Sequence, residues 1–201
     1  MATEFELRML VYRTLLSPSA AKIDFALGSI HVDGAGFAGV AALVAHGGIG
    51  IKVENQQTGE AASYNYPKNS LSFPLGYSGT SPDDREAIVH ECTHALHDIW
   101  GGGRWWSERG SITTARTENE AAAYIAGALY LTYEAGSPVA TPSTLPVIFQ
   151  LAYDIAGRIS GQKSARVDLR DEMRLRQAIA NDPVYQKRGV KLWSLTVADG
   201  I

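Results

Sequence analysis

The sequence is poor in cysteine. Cys92 is the only one among 201 residues, so no disulfide can form within the chain and folding must rest on a hydrophobic core. A sequence that is 45% apolar supplies one, and its length fits a single domain over 1–201. No apolar run has the length of a membrane-spanning helix, so no membrane insertion is expected. The first twenty residues make a poor secretory signal, because Glu4, Glu6, Arg8 and Arg13 interrupt them. Their apolar residues recur instead as on an amphipathic helix. These absences predict a cytoplasmic protein, or one exported without a classical signal peptide. A dense basic patch is also missing and the net charge is −3, which excludes nucleic-acid binding as the main role. The run Gly34-Ala35-Gly36-Phe37-Ala38-Gly39 satisfies G-x-G-x-x-G numerically. No Lys-Ser/Thr follows it, the strand before it is short, and glycines interrupt the helix that should come next. Nucleotide binding is therefore not expected there. There is no internal repeat and no low-complexity tract.

Histidine is scarce too, with five in the chain, yet three of them fall between positions 90 and 97. Two belong to His90-Glu91-Cys92-Thr93-His94. Residues four apart on a helix share a face about one turn apart, so two imidazoles at this spacing can grip one metal ion. The glutamate between them then stands beside a metal-bound water. The flanks predict a helix. Ser81 can cap it, Pro82 suits the first helical position, and Asp83 and Asp84 place acids in the first turn. Ile88, Cys92, Ala95 and Ile99 form a buried stripe, and Gly101, Gly102 and Gly103 end the helix. Taken singly, each member of the motif is an ordinary helical residue. Their joint spacing within one amphipathic helix is what points to a metal. Cys92 is expected on the inner face.

His97 leaves three roles open: ligand, cleft or hydrogen-bonding partner, or helix C-terminal cation. Ligation by His90 and His97 together would need convergence over about 10 Å of helix axis. A site of this kind needs a third protein ligand and one open position. No histidine follows position 97, and the extended H-E-x-x-H-x-x-G-x-x-H pattern fails because position 97 is His and position 100 is Trp. A carboxylate is the natural candidate, and Thr117-Glu118-Asn119-Glu120 supplies two within an alanine-rich helix predicted over 115–133.

Here the sequence resembles the gluzincins, zinc peptidases in which a second helix bears the metal glutamate after H-E-x-x-H. The resemblance covers residues 82–133. It implies zinc held by His90, His94 and Glu120, with Glu91 as general base and Glu118 as the competitor for the third place. It implies an α+β zincin-like fold, with a small mixed sheet packed on the metal-binding helix and a helical C-terminal part. It also implies a peptide or protein substrate, cleaved as by an endopeptidase. The aspartate usual four positions beyond the metal glutamate is Tyr124 here, so Glu86, Asp98 or Asp154 would have to orient a ligand imidazole. Relatives of this type stabilise the oxyanion with a Tyr or His beyond the ligand helix. Among Tyr130, Tyr133, Tyr153 and Tyr185, the candidates are Tyr153 and Tyr185, on or near later helices that could cover the cleft. The alternative is a zincin-scaffold effector with one narrow protein target, or an inactive binding module. Substrate sequence and oligomeric state are not legible.

Around the motif, residues 4–16 are predicted as helix and 17–80 as strand-rich. The strands fall at Ile30–Val32, Val40–Val44, Ile49–Val53, Glu60–Tyr66 and Ser70–Phe73. Asn69–Pro74 is expected to be the edge that pairs with substrate, since Pro67 and Pro74 bracket it. Trp105 and Trp106, between the two metal helices, either line a specificity pocket or cover the core. Helices are predicted over about 145–159 and 168–180, the second stopped by Asn181-Asp182-Pro183.

Overall fold

The computed structural model describes residues 2–54, 61–102, 113–139, 143–192 and 195–197. It is an α+β fold of helices with small sheets packed against them. The N-terminal part runs α1 (Glu4–Leu15), β1 (Asp24–Leu27), β2 (Ile30–Asp33), α2 (Gly34–His46), β3 (Gly50–Glu54), β4 (Ser63–Asn65) and β5 (Ser70–Pro74). Then come α3 (Pro82–Gly102), β6 (Thr113–Ala115), α4 (Arg116–Ala135) and α5 (Val147–Ile159). The chain closes with β7 (Ala165–Arg166), α6 (Leu169–Asn181), α7 (Pro183–Lys187) and β8 (Leu195–Val197). The strands make three small sheets: β2-β1-β7 and β3-β5-β4, both mixed, and the antiparallel pair β6-β8.

Two expectations are corrected. Val40–Val44 is helix, not strand. Asp33 accepts the Gly36 N–H at 2.6 Å as the N-cap of α2, and Gly47, in the left-handed region at φ 80°, ends the helix. Phe37, Val40, Ala41 and Val44 are buried at helical spacing, so tertiary burial overrides the strand preference of β-branched residues. Gly36 is needed for contact, since a Cβ there would fall 2.6 Å from Leu96 of α3. The second correction concerns the edge strand. β5 lies at the centre of its sheet, parallel to β3 and antiparallel to β4, and among the described residues β3 and β4 are the edges. All of Ser70, Leu71, Ser72 and Phe73 are buried, as a strand flanked on both sides requires.

α4 is the central helix. Ala121, Ala122, Ala123, Ile125, Ala126, Ala128 and Leu129 are all buried, because α3, α5 and α6 pack around it. Small side chains let those helices approach at short interaxial distances. α3 begins with a reciprocal cap: Asp84 N–H donates to Ser81 Oγ at 3.0 Å, and Ser81 N–H to Asp84 Oδ2 at 3.3 Å. Ile88, Cys92 and Ala95 are buried in the core, so the opposite face of α3 carries the histidines. No described helix is long and apolar enough to cross a membrane. Trp105 and Trp106 lie outside the described residues.

Candidate metal centre

α3 and α4 are antiparallel neighbours in a fixed register. Glu86 stands against Gly127, the His90 ring against Tyr124, and His94 against Asn119. The residue numbers in each pair sum to nearly the same value, which is the signature of antiparallel helices side by side. This register brings Glu120 between the two histidines. Its Oε2 lies 3.6 Å from His90 Nε2 and 3.6 Å from His94 Nε2. His90, Glu91 and His94 themselves form a cluster matching the H-E-x-x-H zinc-binding motif of gluzincins, with donor atoms all within 4.8 Å of one another.

Two carboxylates thus approach the histidine pair, and their geometry differs. Glu91 Oε1 is 3.9 Å from His90 Nε2, while its Oε2 accepts the Tyr64 backbone N–H at 2.7 Å. Donors in a tetrahedral zinc site with bonds of ~2.0–2.1 Å are roughly 3.4 Å apart. The Glu120 spacing is nearer that edge length from both histidines at once. The nitrogen and oxygen donors together suit a metal ion.

The electrostatics agree. Burial opposes charge on His94, yet the carboxylates of Glu120 and Glu91, with hydrogen bonds that the ring donates to Glu120 and Asn119, outweigh it. The imidazole is pushed up to about 9. Burial likewise opposes charge on Glu120, but His94 and His90 hold its carboxyl well below the usual range. Burial pushes Glu91 up.

Asn119, which the sequence shows only as the neighbour of Glu120, contacts a candidate ligand. Its Oδ1 is hydrogen-bonded to His94 Nδ1, and its amide donates to the Tyr66 hydroxyl at 3.0 Å. With Nδ1–H donating to Asn119, Nε2 of the neutral ring carries the lone pair and faces Glu120. Asn119→Ala is expected to weaken metal binding about 10–100-fold. A competition titration with a chromophoric chelator checks this, and unchanged affinity would remove Asn119 from the site.

The acids named for orienting an imidazole are placed elsewhere. Asp98 accepts the Tyr64 hydroxyl at 2.7 Å. Asp154 is exposed on α5. Glu86 lines the cavity in front of the cluster, and burial pushes its carboxyl up to about 7. His97 is buried, is not in the donor cluster, and is pushed down to about 4 by burial and then by His94. Glu118 turns away from the cluster. Its Oε1 accepts from Ser29 N–H at 2.9 Å and Ser29 Oγ at 3.0 Å, and its Oε2 lies 3.8 Å from Arg176.

The cavity has a volume of about 600 Å³. Its walls include Ala61–Tyr64 along β4, together with Tyr66, Tyr124, Phe149 and Tyr185. The Tyr185 hydroxyl donates to Glu120 Oε2 at 2.9 Å and lies 2.9 Å from the Tyr124 hydroxyl. Tyr153 is half-buried one turn beyond Phe149 and is not among the lining residues. Tyr130 and Tyr133 pack with the core, and Tyr133 accepts the Gly161 N–H at 3.1 Å.

Among models of protein families, curated proteins and solved structures, none matches this chain. The metal reading therefore rests on its own residues.

Proposed function

We propose that this chain is a zinc-dependent peptidase of endopeptidase type, in which His90, His94 and Glu120 hold the metal. The observation that carries the reading is Glu120 Oε2 at 3.6 Å from both Nε2 atoms, with Glu91 alongside. A bound zinc would lower the pKa of a water and polarise a scissile carbonyl. Glu91 takes the proton of the attacking water and passes it to the leaving amine. Its Oε2 is fixed by the Tyr64 N–H, and Oε1 is the oxygen that faces His90. Tyr185 supports the oxyanion, since its hydroxyl already reaches the ligand carboxylate from the cavity wall and a donor there stabilises developing negative charge. Tyr153 is not among the lining residues, so Tyr185 is the stronger candidate. Residues on both sides of the ligand positions along the helices, Glu86 and Arg116, line the cavity, which favours cleavage within a chain over removal of an end.

The test combines metal content with turnover. The purified protein is expected to bind one zinc per chain, and to bind it more tightly at pH 8 than at pH 6, because binding displaces the His94 proton. It should cleave members of a quenched-fluorescence peptide library, lose that activity to a chelator, and regain it with added zinc. Zinc binding without cleavage of any library member would leave a metal-binding module and sink the broad peptidase reading.

A further inference from the structure

The antiparallel register that assembles the ligands also sorts charge along the cleft. Glu86 lies one turn before His90 on α3, against Gly127, where a Cβ would fall 2.2 Å from its Oε1. Like Ala87, Tyr124 and Phe149, it lines the cavity. Arg116 lines the cavity as well, one turn before Asn119 on α4. The same register sets it level with residues 97 and 98 of α3, beyond His94. The two charges are thus separated by about eleven residues of helix, or roughly 16 Å, with the candidate ligands between them. Neither is engaged. Among the described residues, Glu86 accepts no hydrogen bond and Arg116 has no carboxylate within ion-pair distance. The other charged groups facing the cavity are accounted for differently. Glu91 belongs to the donor cluster, Glu120 faces both of its histidines, and Arg188 has a partner already.

A carboxyl and a guanidinium with no partner among the described residues, set apart along the wall of one cavity, select for the opposite polarity in a ligand. We propose that this cleft selects peptides carrying a basic side chain on the Glu86 side of the bound segment and a carboxylate on the Arg116 side, an inference that rests on the peptidase reading. An extended peptide rises about 3.3 Å per residue. Sixteen ångströms is therefore about five residues, so the two charged positions lie about two residues to either side of the scissile bond. The Glu86 end has aromatic walls in Tyr124 and Phe149, which suit the aliphatic stem of a lysine or arginine. The carboxylate at the other end could be an Asp or Glu side chain or a chain terminus, since a guanidinium forks onto either.

The test uses binding, so that it does not depend on turnover. Zinc-loaded Glu91→Gln protein is titrated at low ionic strength with four C-terminally amidated peptides of otherwise identical sequence. They carry Lys then Glu, Glu then Lys, Gln at both positions, or Lys then Gln. One mixed order is expected to bind about tenfold more tightly than the neutral peptide, and the reversed order no better than neutral. Arg116→Glu should remove or invert the preference at the acidic position alone, and Arg116→Gln should only weaken it. Glu86→Gln should flatten the preference at the basic position alone. Equal affinity for all four peptides, or a charge preference that survives both Arg116→Glu and Glu86→Gln, would overturn the proposal. A fifth peptide, with a neutral side chain and a free terminal carboxylate at the acidic position, separates the two carboxylate sources. Turnover by the native protein is read separately. Charge selectivity without cleavage keeps the polarised cleft and sinks the peptidase reading, whereas cleavage without selectivity does the reverse.

Discussion

Glu91→Gln is expected to leave one zinc per chain while lowering kcat/KM on peptides by roughly 10²–10⁴-fold, the range that general acid–base groups supply. Glutamine is nearly isosteric, and its carbonyl oxygen can still accept the Tyr64 N–H that the carboxylate now accepts at 2.7 Å. The variant therefore keeps its place on α3. What it loses is a basic oxygen beside His90, the only group in the cluster left to take a proton once His90, His94 and Glu120 hold the metal. Glu91→Asp draws the carboxylate back by about one bond length, and an intermediate loss is expected because a general base works only within hydrogen-bond reach of its proton. Zinc content and steady-state kinetics measured on the same preparations decide the matter. Zinc loss in the glutamine variant would make Glu91 a ligand. More than about a tenth of the activity retained would mean that the proton goes elsewhere.

The parts of this site that were legible in the sequence are those encoded within one helix. Ser81, Pro82 and the H-E-x-x-H spacing specify α3 by local capping and periodicity, and the alanines after Glu120 specify α4 as a helix packed on every side. The choice between Glu118 and Glu120 is partly local as well, since residues two apart cannot share a helix face. What was not legible depends on how elements meet. Asn119 reaches His94 only through the register of α3 on α4, and Tyr66 reaches Asn119 only through the turn after β4. The same register sets Glu86 and Arg116, which both line the cavity, about eleven residues apart along the helices. α2 is not legible because its glycines and its β-branched Val40 and Val44 read as strand, whereas the Asp33 cap and burial at helical spacing make it a helix. The edge strand was misplaced because prolines that bracket Ser70–Phe73 limit the length of a strand without saying whether it lies inside or at the border of a sheet.

Glu118 and Glu120, two positions apart, are expected to give opposite results when replaced by alanine. Glu118→Ala should lower the stability of the metal-free protein by about 2–5 kcal/mol. It would strip the Ser29 N–H and hydroxyl of their acceptor and take one carboxylate from Arg176, which is 6% exposed and which Glu172 still holds at 2.8 Å. The network joins α4 to α6 and to the β1–β2 turn, so the loss falls on the fold and not on the metal. Zinc should still raise the unfolding midpoint of this variant. Glu120→Ala should do the reverse. Its carboxylate faces two imidazoles and the Tyr185 hydroxyl in a cavity, so its removal costs less in the metal-free protein. It abolishes the zinc-dependent stabilisation, which amounts to about 4 kcal/mol for a native ligand set at a thousandfold excess over Kd. Chemical denaturation of both variants with and without zinc separates the two contributions. If Glu118→Ala were the variant that lost its response to zinc, the third ligand would be Glu118 and the register of α4 on α3 would have to differ by a large rotation about the α4 axis. The hydrogen bonds that hold Glu118 to Ser29 and Asn119 to His94 oppose that rotation from two sides of the same helix.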